Sequence, residues 1–226
     1  QDDGVHASNA LVVASGTITV SKSNEGLEGK SIHIIDGKVT VTATDDGLNA
    51  ADPSASASEG GPGHSVSEDT DILITIDGGT INVTAEGDGI DSNGNIVMNG
   101  GELYVSGSAN DGNAPLDYDG TATLTGGKAV IVGPSGMAQG FSSSSTQASV
   151  MSTSVSGKKG SKVTITDSSG KEIASYTANI AFTSVLATSA NIKEGETYTI
   201  TVDGESTTET ASLQTGNSGM GGGPGG

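Results

Sequence analysis

Two kinds of short apolar-polar run alternate along the chain from its start to Gly133. Gly16-Thr-Ile-Thr-Val20, Gly37-Lys-Val-Thr-Val41, Gly79-Thr-Ile-Asn-Val83 and Gly101-Glu-Leu-Tyr-Val105 place an apolar residue at every second position. Strict alternation is the pattern of a strand with one buried face. Ser31-Ile-His-Ile-Ile35, Ile72-Leu-Ile-Thr-Ile76, Asn95-Ile-Val-Met98 and Thr121-Ala-Thr-Leu124 form a second set, each running into a glycine turn. No segment carries a helical period.

A third element joins them. Asp3-Gly4-Val5-His6-Ala7, Glu25-Gly26-Leu27-Glu28-Gly29, Asp46-Gly47-Leu48-Asn49-Ala50 and Asp88-Gly89-Ile90-Asp91-Ser92 share the order acid, glycine, aliphatic, polar, small. The step from Asp3 to Glu25 nearly equals that from Glu25 to Asp46, and the step from Asp46 to Asp88 is twice as long. A looser copy, Asp111 to Asp117, follows Asp88 by one further single step. A repeat of roughly 21 to 23 residues built from short strands and turns predicts a solenoid. Without helices, that solenoid is an all-β parallel β-helix; the Leu ladder and Asn of a leucine-rich repeat are missing.

Composition supports this. Two Phe, four Tyr and no Trp supply a compact core poorly, whereas stacked Val, Ile, Leu and Ala fill a narrow interior. The 36 glycines suit tight corners, where positive φ is often required. Cysteine is absent, so no disulfide contributes. No apolar run approaches the roughly 20 residues of a membrane span, and no signal peptide is visible. The chain opens in the middle of a repeat. It therefore reads as a processed product or the ordered part of a longer, secreted protein whose signal and earlier coils are not in this chain.

Charge changes the picture most. Residues 1–119 carry 20 of the 27 acids and three of the nine lysines, a net of −17; residues 120–226 come to −1. There is no arginine. Nucleic acid is an improbable partner, because phosphate binding needs clustered Lys or Arg.

Equivalent residues of neighbouring coils lie about 4.8 Å apart, so the repeat predicts a column with Glu25 over Asp3, Asp46 over Glu25 and Asp88 over Asp46. Carboxylates so spaced repel or take up protons unless a cation lies between them. Ca²⁺ fits, since it takes six to eight oxygens and two coils can bracket it. The candidate ligands are Asp3, Glu25, Glu28, Asp45, Asp46, Asn49, Asp88, Asp91, Asp111 and Asp117. Mg²⁺ demands stricter octahedral geometry, and Zn²⁺ prefers His or Cys. His6 takes the position of Asn49 and is a poor Ca²⁺ ligand.

These residues resemble a known family, the calcium-binding β-helix carbohydrate-binding domain of surface proteins from cellulolytic clostridia and related bacteria. The likeness rests on the Asp45-Asp-Gly-Leu-Asn-Ala50 turn, on Gly87-Asp-Gly-Ile-Asp-Ser-Asn-Gly94, on the Gly-Gly strand starts and on Lys193-Glu-Gly-Glu-Thr-Tyr-Thr-Ile200. It implies a right-handed parallel β-helix with several Ca²⁺ ions, a pectate-lyase-like fold without catalysis, and binding to polygalacturonate (pectin) and to cellulose. An anionic protein repels polygalacturonate unless partly coordinated Ca²⁺ bridges the two sets of carboxylates. The expected function is thus a calcium-dependent carbohydrate-binding module, extracellular or at the cell surface. The alternative is a calcium-stiffened structural protein, an adhesin or filament subunit, that self-associates through its open first coil.

A lyase needs a neutral Lys or Arg as base. Only Lys22, Lys30 and Lys38 lie in the acidic half, where surrounding carboxylates keep an ammonium charged. No nucleophile elbow, phosphate loop or zinc motif is present, and a non-enzymatic module is expected. Tyr104 and Tyr118 flank the last acidic turn as candidates for stacking on sugar rings. His33 and His64 have no partner cluster.

Residues 51–70, rich in Ser, Gly, Ala and acid, read as a loop extruded from one coil, not as another tier. Lys128 to Val132 reads as the last coil strand. Residues 134–213 are expected to cap the coils 1–133, with a hairpin of 162–166 and 172–176 and a strand at 197–202; 214–226 reads as a flexible Gly-rich tail.

Overall fold

The computed structural model describes residues 2–53, 71–108 and 110–216. Within them every regular element is a strand and no helix occurs. About five coils of ~22 residues stack as a parallel β-solenoid. The first coil holds β1 (Val5–Val13) and β2 (Thr17–Ser23); the second, β3 (Leu27–Ile34) and β4 (Lys38–Ala43). Next come β5 (Leu48–Ala50), β6 (Leu73–Ile76) and β7 (Thr80–Ala85), then β8 (Ile90–Ser92), β9 (Asn95–Met98) and β10 (Glu102–Ser106). The fifth coil holds β11 (Asp117–Tyr118), β12 (Ala122–Leu124) and β13 (Lys128–Gly133).

Strand pairing follows the apolar pattern. Leu27, Leu48 and Ile90 stack coil on coil, as do Ile32, Ile74 and Ile96, and Val20, Val41, Val83, Val105 and Ile131. A slip of one residue would turn each column out to solvent, so burial fixes the register. Each fully buried Ile or Leu contributes about 1.5–3 kcal/mol.

The insertion is accommodated at one point. In β3 only Lys30 separates the residues that pair with β5 from those that pair with β6; in the next coil residues 51–72 stand in its place. β5 and β6 therefore both stand on β3, in one coil. Residues 54–70 lie outside the described residues, as do 217–226 of the expected tail.

Glycine serves two different ends. Gly16, Gly37, Gly79, Gly101 and Gly127, one per coil, have positive φ at the corner before the coil's last strand. The glycines of the acidic turns do not. A Cβ on Gly47 would run into Val83 Cγ1 and the Gly89 carbonyl oxygen, so close stacking is what demands glycine there.

Parallel order stops at β13. The remaining strands are β14 (Ser149–Ser152), β15 (Lys162–Thr166), β16 (Glu172–Thr177), β17 (Ser184–Thr188), β18 (Thr197–Val202) and β19 (Glu205–Thr210). β17 runs antiparallel between β13 and β14, closing the sheet that contains β2, β4, β7 and β10. The serine-rich run before β14 covers the edge of β12: Ser142 and Ser145 side chains accept the N–H groups of Ala122 and Leu124 at 2.9 and 3.0 Å. Side-chain oxygens thereby stand in for a missing strand.

β15, β16, β18 and β19 form a separate antiparallel sheet that includes the expected hairpin. It packs on the outer face of β13, where Val130 and Val132 belong to a second core with Ile165, Tyr198 and Ile200. β13 reads Ala-Val-Ile-Val because both its faces are covered.

Candidate metal centre

The acidic turns stack into two parallel columns. In the first, Gly4, Gly26 and Gly47 N–H groups donate to the carbonyls of Glu25, Asp46 and Asp88 at 2.8 to 2.9 Å, so Asp3, Glu25, Asp46 and Asp88 succeed one another. In the second, His6 pairs with Glu28, Glu28 with Asn49, Asn49 with Asp91, and Asp91 with Asp117. Each turn thus offers one group to each column, and in the second to fourth turns buried Leu27, Leu48 and Ile90 pin the backbone between them.

Side chains tie the coils together. Asp3 Oδ1 accepts the Glu25 N–H at 3.3 Å and Asp46 Oδ1 accepts the Asp88 N–H at 2.7 Å. Asp88 Oδ1 accepts the Ala114 N–H. Asp46, Asp88 and Asp91 bring ligand oxygens within 4.8 Å of one another, and Asp3, His6 and Glu28 form a second such group. At that distance two unit charges repel by about 3 kcal/mol at an effective dielectric constant of ~20. Burial, then the neighbouring carboxylates, pushes Asp46 up to about 7 and Asp88 to about 6. Asp91 is raised well above the usual carboxylate range for the same reasons, and Glu25 and Asp117 are raised mainly by burial.

Other expected ligands fall differently. Glu25 accepts the Asn49 amide at 2.8 Å, so in that gap an amide N–H lies against the carboxylate. The Asn49 Oδ1 is buried and has no hydrogen-bond partner. Asp45 is exposed beside the column, adding its charge to the repulsion on Asp46 and Asp88. Asp111 is exposed and outside it: Gly89 N–H donates to the Ala114 carbonyl, so Ala114 takes the place expected of Asp111. The register is set by Leu116, buried under Ile90, not by the resemblance of Asp-Gly to Asp-Gly.

Gln139 escaped sequence reasoning. It stands one coil length after Asp117, its amide donates to Asp117 Oδ1, and its own Oε1 is buried without a partner. The spacing was the available signal, masked by the lack of an acid. His6 contacts Glu28, which raises its pKa chiefly through that hydrogen bond.

Of the candidate stacking residues, Tyr118 is 2% exposed and its hydroxyl donates to the Gly140 carbonyl at 2.6 Å. It faces the interior and is withdrawn from any surface role. Tyr104 is half-buried on the opposite sheet. Lys30 is paired with Asp52 at 3.3 Å. His33 meets Asp77 at 2.6 Å in a ladder continued by Asn99; His64 lies outside the described residues.

Chemically, the Asp46, Asp88 and Asp91 group is a hard, all-oxygen donor set with excess negative charge, suited to an oxygen-seeking divalent cation. The Asn49 oxygen, buried and unpartnered next to Asp91 in the second column, is a neutral donor of the same chemical class. No curated protein and no solved structure matches the chain. A family model described as carbohydrate-binding domain-containing protein matches residues 1–222, and the chain belongs to that family.

Proposed function

We propose that this protein is a non-catalytic module that binds acidic polysaccharide of the polygalacturonate (pectin) type through Ca²⁺ held between stacked acidic turns. The family supplies the carbohydrate. The observation that carries the calcium is the Asp46, Asp88 and Asp91 group, whose oxygens lie within 4.8 Å of one another and whose burial among like charges pushes all three carboxyls up, Asp46 to about 7 and Asp88 to about 6. Asp46, Asp88 and Asp91 hold the ion, with Asp117 next along the column. Bound there, Ca²⁺ neutralises the carboxylates and offers its remaining coordination positions to a uronate. The protein's part is to fix the spacing of its carboxylates, since coils repeat at about 4.8 Å. Such binding belongs at the cell surface or outside the cell. Cellulose is a further ligand proposed for this module; being uncharged, it draws nothing from the calcium bridge.

The test is calorimetric titration of chelator-treated protein with Ca²⁺, then with hexagalacturonate with and without that Ca²⁺. Calcium binding followed by calcium-dependent sugar binding is expected. Sugar binding undiminished in chelator overturns the bridging mechanism, and failure to bind Ca²⁺ overturns the cation reading.

A second reading, a calcium-stiffened adhesin or filament subunit, is favoured by one observation. Among the described residues β1 pairs only with β3 and β2 only with β4, and an unpaired strand edge is where another strand can add. Calcium binding without any sugar signal, together with calcium-dependent assembly in sedimentation, is the outcome that selects it.

A further inference from the structure

The polar outer face of the solenoid sheet ends in a cleft that the acidic columns do not touch. Thr19, Thr40, Asn82 and Tyr104 stack in register across β2, β4, β7 and β10. Where the C-terminal sheet leans over this face, Asn82, Tyr104, Lys162, Ser175, Tyr176 and Thr177 line a cleft of about 270 Å³. That is near the lower end of small-molecule sites, about 300 Å³, and suits a single sugar ring with its neighbours lying along the open sheet.

The aromatic part of the cleft is built in advance. The Tyr104 and Tyr176 rings stack with centroids 5.6 Å apart at 21°. Tyr176 is pinned by a 2.8 Å hydrogen bond between its hydroxyl and Ser106, with Asn179 donating to the same hydroxyl. Tyr104 is held by its own hydroxyl, which donates to Glu102 at 3.1 Å, and by Lys128, whose ammonium lies 5.7 Å from its ring centroid. Rings fixed this way lose little freedom on binding.

The polar part is left available. The Asn82 amide makes no intramolecular hydrogen bond among the described residues, although it is partly buried. Charges here come in balanced pairs: Lys128 lies 4.0 Å from Glu102 and Lys162 3.6 Å from Glu172. The cleft is therefore close to neutral on a chain of net charge −18. A uronate gains no net attraction there, whereas an uncharged pyranose presents C–H groups to the tyrosines and hydroxyls to Asn82, Ser175, Thr177 and Lys162.

We infer that the cleft between β7, β10 and β16 is a second carbohydrate site, one that takes uncharged pyranose units without calcium. This rests on the family's carbohydrate reading and not on the cation proposal. The experiment is titration with cellopentaose as a neutral probe, in Ca²⁺ and in chelator, for the native protein, Asn82→Ala, Tyr104→Ala and the column variant Asp91→Asn. Binding is expected in both conditions, weakened roughly five- to tenfold by Asn82→Ala and more by Tyr104→Ala. Asp91→Asn leaves it unchanged and alters only hexagalacturonate binding. Asn82→Ala removes no internal hydrogen bond, so its melting temperature should stay close to the native value and separate lost binding from lost folding. The inference is overturned if cellopentaose does not bind, if its binding survives both cleft substitutions, or if it disappears in chelator. Failure of the native protein to bind hexagalacturonate in Ca²⁺, with cellopentaose still bound, defeats the calcium proposal and leaves this one standing.

Discussion

Asp46 Oδ1 accepts the backbone N–H of Asp88 at 2.7 Å, so a side chain of one coil closes on the main chain of the next. The same link recurs between Asp3 and Glu25. An acid in this position is therefore a clip between coils as well as a candidate ligand, because a carboxylate has a second oxygen to give.

Substituting the column tests the ligand role apart from the clip. Asp46→Asn keeps a carbonyl oxygen for the Asp88 N–H while removing the charge. It is expected to weaken Ca²⁺ binding by roughly tenfold or more, since charge count tunes such sites, with little effect on the fold. Asp111→Asn, outside the column, leaves the calcium isotherm unchanged; calorimetry on the two variants reads the difference.

Acidity works in opposite directions with and without the cation. Asp46 is raised to about 7 and Asp88 to about 6, above the ~3.9 of an unfolded aspartate. A carboxylate raised in the folded state contributes stability that is complete below about pH 4 and lost as pH climbs through 6 to 7. The calcium-free protein should accordingly melt several degrees higher at pH 5 than at pH 8. In millimolar Ca²⁺ the order should reverse, because protons and cation compete for the same oxygens. Thermal scans at the two pH values, with and without chelator, check both signs.

Glycine substitutions separate stacking from turn geometry. Gly16 has φ +94° with nothing within 4 Å of an added Cβ, so Gly16→Ala costs only the left-handed backbone, about 1–2 kcal/mol. Gly47→Ala drives a methyl into the Gly89 carbonyl and Val83, and a backbone atom cannot swing aside. It should cost about 3 kcal/mol or more. Urea denaturation of the two variants is expected to rank Gly47→Ala as the more damaging.

Tyr118 is a structural residue. Tyr118→Phe leaves the buried Gly140 carbonyl without its 2.6 Å donor and should lower stability by about 1 kcal/mol. Polysaccharide affinity should not change, in contrast to Tyr104→Ala at the outer cleft.

Periodicity made the coil readable. Val39, Ile81 and Leu103 alternate with polar neighbours, and their recurrence at whole coil lengths forces them into one buried column. Both columns of the acidic turns follow, since Glu28, Asn49 and Asp91 keep a fixed offset from the preceding acid. The far end was less readable: β14 and β17 lie in runs of Ser, Thr and Ala whose alternation is weak, and their antiparallel pairing has no sequence period.

The sequence by itself determined that this chain coils, how long each coil is, and that acid accumulates along one edge, because each depends on local pattern repeated at constant spacing. Only the tertiary structure decided which copy of the pattern stands in register. Leu116 seeks the core beneath Ile90 and carries Ala114 into the place that Asp111 was expected to fill. It also decided that Tyr118 is buried while Tyr104, on a solenoid strand, meets Tyr176 of the C-terminal sheet. Contacts between segments distant along the chain are set by packing, and no spacing within the chain announces them.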